Sequence, residues 1–208
     1  MKLYEFGATR SLRVRWTLQE IGAPFESIVV NLTQGAHREP AYLKLNPAGK
    51  LPTLIDGDLV LTESAAIVLY LAEKHPEKRL LPERLEARAE HNRWLMFTVT
   101  ELEQPLWRIA RHTFIYPEEQ RLEADAAIAR REFRQMAAVI ESHMRGRDFV
   151  AGDRVTVADF VLAYTLDWAN EEALLDEAPT LLTYMERMYQ RPNAPPRIAQ
   201  AMAAASGG

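Results

Sequence analysis

Residues 2–32, KLYEFGATRSLRVRWTLQEIGAPFESIVVNL, change hydrophobic period twice. Residues 2–6 are a short apolar and aromatic run that reads as a strand. Over residues 11–21, Val14, Leu18 and Ile21 recur at helical spacing, and Gly22 stops the helix. Residues 25–32, with Ile28, Val29 and Val30, form a second strand. Strand, helix and strand in that order make a βαβ unit whose two strands run parallel.

Working outward, residues 51–55 and 59–61 are short apolar strands joined by Asp56-Gly57, a dipeptide suited to a tight hairpin. Thr62 or Ser64 can cap the following helix, which turns Ala65, Val68, Leu69 and Ala72 inward. With a weakly helical stretch at 41–45, the order is β-α-β-α-β-β-α. Pro76 and Pro82 bracket a polar connection of the kind found between domains, giving domains over 1–78 and 83–208. The second domain reads as all helical. One helix runs from 85 to about 113, kinked or broken by Pro105, and Pro117 opens another to about 144 that buries Ile128, Phe133, Met136 and Ile140. A third starts at Thr156, where Asp159 three residues on completes a capping box. Short helices over 181–189 and 198–202 close the chain, and residues 203–208 are expected to fray. Arg13 and Arg15 are expected on the solvent face of the first helix or paired with acidic groups, and Tyr4 in the core.

The chain has 208 residues, 48% hydrophobic and 26% charged, which is ordinary globular composition and excludes disorder for its bulk. Lys and Arg balance Asp and Glu over residues 1–78, so the net charge of −4 sits in the helical part. No basic field or patch points to nucleic acid. There is no cysteine, which removes disulfides, thiolate metal sites and a protein thiol nucleophile together, and no metal is expected. No stretch reads as a signal peptide or approaches the roughly 18 to 20 apolar residues of a membrane span, so a cytoplasmic protein without membrane partners is expected.

Four signatures stand in order along the chain: a hydroxyl-bearing start to the first helix in ATRSLRVRW; Asn-Pro-x-Gly-Lys-Leu-Pro at Asn46 to Pro52; Thr-Glu-Ser-x-Ala-Ile at Thr62 to Ile67; and Thr-Val-Ala-Asp at Thr156 to Asp159. With the two-domain order, they resemble the cytosolic glutathione transferases over almost the whole chain. The resemblance implies an α/β thioredoxin-like first domain that binds glutathione and an all-α second domain that supplies most of the pocket for a small hydrophobic electrophile. It further implies a homodimer, a role in detoxification, and a cis bond before Pro52 that turns the Leu51 backbone toward the cysteinyl backbone of the tripeptide. Lys50 would then approach the glycyl carboxylate, as could His37 from its loop. Glu63 and Ser64 stand where a helix N-terminus attracts the γ-glutamyl carboxylate, with Glu63 neutralising the adjacent ammonium.

The chemistry then concerns the thiol of the bound tripeptide. A free thiol ionises near pH 8.5, and lowering that by about two units takes about 2.7 kcal/mol of preferential interaction with the thiolate. Ser11, Thr9, or backbone amides together with Arg10 are the available donors. The family's usual serine falls near Ala8, and the beta-class cysteine falls on Arg10. Arg10, Trp107 and Arg111 are candidates for the electrophile pocket. Two alternatives accompany the transferase reading: a non-catalytic glutathione-binding or assembly module of the same fold, and a zeta-like glutathione-dependent cis–trans isomerase, suggested by the partial match of TRSLRVR to the zeta motif.

Overall fold

The computed structural model describes residues 1–206. It divides into two compact units, one of Met1–Leu81 joined by the segment from Tyr189 onward, the other Pro82–Met188.

In the first unit, β1 (Lys2–Glu5) pairs parallel with β2 (Glu26–Val29), as the βαβ reading requires. β3 (Thr53–Asp56) runs antiparallel to β1, and β4 (Leu59–Thr62) antiparallel to β3, giving the sheet order β2-β1-β3-β4. The helices are α1 (Ser11–Ile21), the single turn α2 (Pro40–Leu43) after a 3-10 turn at Ala36–Arg38, and α3 (Ser64–Lys74). Leu3 and Leu54 are cross-strand partners and both fully buried, which fixes the core face of the sheet. α1 packs on α3, whose Ile67, Val68 and Leu71 are buried, and Gly22 ends α1 in the left-handed conformation.

α1 is buried nearly all round: Ser11, Leu12, Arg13, Val14, Trp16, Thr17, Leu18 and Ile21 all lie inside. Arg15 pairs with Glu5, its Nε donating at 2.9 Å, which meets the expectation of an acidic partner for that residue. Arg13 does not stand on a solvent face; it is 1% exposed. The segment from Tyr189 explains part of this burial. The Tyr189 ring lies 5.0 Å from that of Trp16, and Arg191 holds both carboxylate oxygens of Glu20 at 2.7 and 3.1 Å. α4 to α8 belong to the second unit up to Met188, but α9 (Ile198–Ser206) lies against the β1–α1 loop. A Cβ at Gly7, where φ is +38°, would stand 3.3 Å from the Ala205 Cβ, so the tail needs glycine there. Residues 203–206 therefore continue a helix that was expected to fray, and 207–208 lie outside the described residues.

The second unit contains α4 (Leu85–Phe97), α5 (Glu103–Ala110), α6 (Glu123–Met144), α7 (Val157–Glu171) and α8 (Pro179–Tyr189). Pro105 leaves its mark one turn upstream. Without an N–H it cannot close the helical bond to Glu101, and the chain from Thr98 to Leu102 relaxes into a π turn before α5 resumes. Pro117 does not open the long helix; a 3-10 turn at Glu118–Gln120 and an extended Leu122 intervene, and α6 starts at Glu123 with Glu123 and Asp125 at the positive end of its dipole. Phe133 and Ile140 are buried as expected, whereas Ile128 is 39% exposed and alanines 126, 129 and 137 take the close contacts. Among the described residues no helix is long and apolar enough to cross a membrane.

Thr156 and Asp159 form the capping box of α7, and the carboxylate does more than cap. It accepts the Val150 N–H, the Thr156 N–H and the Tyr184 hydroxyl at 2.8 Å each, and the Thr156 hydroxyl at 2.9 Å. One buried side chain thus ties the loop before α7 to α7 and α8.

His91 on α4 is fully buried, and burial lowers its pKa below the ordinary imidazole value. The unfolded chain takes up this proton more readily than the folded one, so stability is complete above about pH 6.5 and is lost as the pH falls through that value. His143, stacked 4.0 Å from Trp94, is shifted the same way by burial. We expect Tm to drop by about 3 °C or more between pH 7 and pH 5.5, and His91→Leu to flatten that dependence. An unchanged slope in His91→Leu would remove His91 as its source.

Candidate functional site

The register of the sheet brings three expected stretches to one end. Tyr4 of β1 lies opposite Thr53 of β3, and Thr53 lies opposite Thr62 of β4. The loop leaving β1, the Leu51–Pro52 step entering β3, and Glu63 leaving β4 therefore emerge together, the first of them distant in sequence from the other two.

In the first stretch, Thr9 is half-buried and Ser11, the first residue of α1, is fully buried. Their hydroxyl oxygens are 2.7 Å apart, and the Ser11 N–H approaches the Thr9 oxygen at 3.4 Å. When the Ser11 hydroxyl donates, the Thr9 oxygen receives both donors, and the Thr9 hydroxyl hydrogen is left to point away from them. Arg10 is the half-buried residue preceding the helix. Ala8 contributes no hydroxyl. Tyr4 is half-buried in mid-strand, its ring 5.9 Å from that of Tyr42.

The second stretch is held from behind. The Leu51–Pro52 peptide is cis. The Tyr42 hydroxyl donates to the Lys50 carbonyl at 2.6 Å, and Asn46 Nδ2 donates to the same oxygen at 2.7 Å. Both donors are buried residues, so the backbone before Leu51 has one position. Lys50 itself is exposed, and so is Arg38. Gly49 lets the loop of His37 approach: a Cβ there would meet the His37 carbonyl at 3.0 Å and the Arg38 guanidinium at 3.2 Å. Burial and the neighbouring Arg38 lower the His37 pKa, so at pH 7 His37 is neutral and Arg38 supplies the positive charge. Sequence reasoning missed Arg38; its position beside His37 in the same loop was the available signal.

In the third stretch, Glu63 has φ +66° and ψ 108°, a conformation that a residue with a Cβ adopts at a cost. The strain sets an exposed carboxylate beside the first turn of α3, whose N–H groups have no partner within the helix. Ser64 is buried, and its Oγ accepts the Arg13 Nη1 at 3.2 Å from α1. Arg13 was the second residue sequence reasoning missed, because arginine next to a helical apolar stripe normally reads as a surface residue.

Within the helical unit, Trp107 is half-buried on α5. The Arg111 guanidinium lies 5.4 Å over its ring and Trp168 packs edge-on at 6.3 Å. Among the described residues no group of His, Asp or Glu is arranged to hold a metal ion.

Comparison with known proteins decides the family. Residues 1–73 match the model of the glutathione S-transferase N-terminal domain, and residues 102–192 that of the C-terminal domain. The chain belongs to the glutathione transferase family. Glutathione S-transferase 1 of Dianthus caryophyllus is 38% identical over 168 residues, 78% of this chain and 74% of that one. Glutathione S-transferase GST-4.5 of Xanthomonas campestris pv. campestris is 33% identical over 190 residues, 90% of this chain and 92% of its own. A zeta-class glutathione S-transferase of Euphorbia esula is 34% identical over 199 residues, 92% of this chain and 87% of its own. Among solved structures, a glutathione S-transferase from Xylella fastidiosa superposes with a TM-score of 0.83 at 28% identity, covering 99% of this chain and 98% of that one. A Phanerochaete chrysosporium glutathione transferase solved in complex with oxidized glutathione gives 0.83 at 26% identity, covering 99% and 96%. This transferase thus carries the family's two domains in the family's order, with a four-stranded mixed sheet in the first and helices in the second.

Proposed function

We propose that this transferase binds glutathione at the end of the sheet where Thr9, Pro52 and Glu63 converge, and activates its thiol for attack on small hydrophobic electrophiles. The observation that carries the reading is that convergence itself, which assembles a hydroxyl donor, a fixed backbone edge and a helix N-terminus on one rigid frame. The Leu51 backbone pairs with the cysteinyl part of the tripeptide, the first turn of α3 with Ser64 takes the γ-glutamyl carboxylate, and Glu63 faces its ammonium. Lys50, His37 and Arg38 receive the glycyl carboxylate.

Thr9 donates to the sulfur. The burial of Ser11 and its 2.7 Å contact with Thr9 support this division of labour, in which Ser11 positions and polarises Thr9 from behind. Their positions also favour a hydroxyl over Arg10 as the principal donor. The transferase contributes positioning and preferential stabilisation of the charged sulfur, and needs no thiol or metal of its own. Trp107 and Arg111 are proposed to meet the electrophile, which an aromatic wall with one cation would receive as a polarised apolar molecule. A homodimer in the cytoplasm, acting in detoxification, completes the proposal, and the exposed Leu59 and Val60 of edge strand β4 support association with a second copy. Light scattering at micromolar concentration tests that association.

The zeta-class relative supports a second reading, glutathione-dependent cis–trans isomerisation of maleyl compounds, which would use the same bound thiolate. Calorimetric titration with glutathione, alongside conjugation of a chloronitrobenzene and isomerisation of a maleyl substrate, separates these outcomes. Binding with conjugation supports the transferase reading, and isomerisation alone the second. Binding with neither activity would make the chain a glutathione-binding module, and no binding would overturn the site.

A further inference from the structure

Ser64 begins α3, and the Arg13 guanidinium reaches its oxygen at 3.2 Å from α1, 51 residues away in sequence. Both side chains are buried, Arg13 at 1% and Ser64 at 5% exposure. A guanidinium carries five donors and no acceptor, so in this contact Ser64 accepts. A hydroxyl whose oxygen faces a donor inside the protein directs its own hydrogen elsewhere. As the first residue of its helix, Ser64 has no helical carbonyl one turn back to take that hydrogen, which is the usual destination for a serine within a helix.

We propose that Arg13 is a positioning residue for glutathione, holding the Ser64 hydroxyl as an outward donor to the γ-glutamyl carboxylate. The inference rests on the glutathione site proposed above and adds to it the group that gives Ser64 its polarity. Arg13 touches no ligand atom; it acts through the direction it imposes on the Ser64 hydroxyl. The arrangement parallels the β1–α1 loop, where Ser11 stands behind Thr9. In both places a more deeply buried polar group stands behind the hydroxyl proposed to meet the ligand. Lysine is no substitute, since its shorter reach and single ammonium do not reproduce the planar fork.

The test measures dissociation constants of glutathione, and of an analogue lacking the γ-glutamyl α-carboxylate, for the wild type, Arg13→Lys, Arg13→Met, Ser64→Ala and the double variant R13M/S64A. The wild type is expected to prefer glutathione. Ser64→Ala and Arg13→Met are each expected to weaken glutathione binding about tenfold, as loss of one hydrogen bond to a charged group implies, while leaving the analogue unchanged. The double variant should bind within about twofold of Ser64→Ala, because Arg13 has no route to the ligand once Ser64 is gone. Arg13→Lys, which keeps the buried charge and supplies the answer should Arg13→Met fail to fold, should lose at least about threefold of the preference. A merely structural arginine would lower Tm and leave the ratio of the two constants at its wild-type value. That result in either Arg13 variant, or additive losses in the double variant, would overturn the inference while leaving the site intact. Failure of the wild type to bind glutathione would overturn the site and the inference with it.

Discussion

Replacing Thr9 by valine is expected to raise the pKa of the bound thiol by about one to two units and so to lower turnover at pH 7 between about 3- and 25-fold. The side chain keeps its volume and loses only the hydroxyl, so the change reads the donor and not the packing. A hydrogen bond to a charged acceptor contributes about 1.5 to 3 kcal/mol, which covers part or all of the preference for thiolate required of this site. Glutathione affinity should change little at a pH where the thiol stays protonated, because the tripeptide's two ends are held elsewhere. Thr9→Ser should retain activity. Ser11→Ala should have the smaller effect of the pair, about threefold, since it removes the hydroxyl 2.7 Å from that of Thr9 and not the one proposed to face the sulfur. The pH–rate profile of kcat/KM checks all three variants. If Ser11→Ala shifts the profile further than Thr9→Val, the roles of the two hydroxyls are reversed.

The second large effect concerns stability. Asp159→Ala is expected to destabilise the helical unit by about 4 kcal/mol or more, because it strands four buried donors at once. These are the N–H groups of Val150 and Thr156 and the hydroxyls of Thr156 and Tyr184. Burial raises the Asp159 pKa from the ordinary carboxylate value while the four donors oppose that shift, so they make the site habitable for a carboxylate. Asp159→Asn is no remedy: it brings its own two donors into a place already filled with donors. Tyr184→Phe, which removes one partner and leaves the box intact, should cost only about 1 kcal/mol. Urea unfolding followed by circular dichroism distinguishes the three. A loss below about 1 kcal/mol in Asp159→Ala would mean that the capping box is ornamental.

The parts of this fold that follow from local chemistry were legible in the sequence. Gly22 closing α1, Asp56-Gly57 between β3 and β4, and the Thr156–Asp159 box each depend on residues within a few positions of one another. What was not legible depends on distant partners. Arg13 looks like a surface residue beside Val14 and Leu18 until Ser64, half a domain away, is known to face it. The order of the two hydroxyls at the start of α1 could not be read either, since Ser11 and Thr9 have the same chemistry and differ only in burial. The tail was misplaced for a related reason. Nothing in residues 189–206 announces that Tyr189 and Arg191 find Trp16 and Glu20 in the first unit. In the helical unit, Pro105 announced a disturbance of the helix, but not that a π turn would absorb it upstream.

For the proposed site, the sheet register explains why residues singled out by separate sequence motifs lie together. Tyr4, Thr53 and Thr62 align across three strands, so the loop after β1, the Leu51–Pro52 step and the start of α3 at Ser64 open onto one edge. Glu63 at φ +66° shows the backbone held against its own preference at that edge. Such strain persists only where the surroundings over-determine it, here the end of β4 on one side and the anchored Ser64 on the other.

One ultraviolet difference titration of the wild-type protein saturated with glutathione tests the whole account, because it follows formation of the thiolate directly. Ionisation is expected about two units below the value of about 8.5 for a free thiol. Ionisation at the solution value, in a protein that calorimetry shows to be loaded with glutathione, would contradict it.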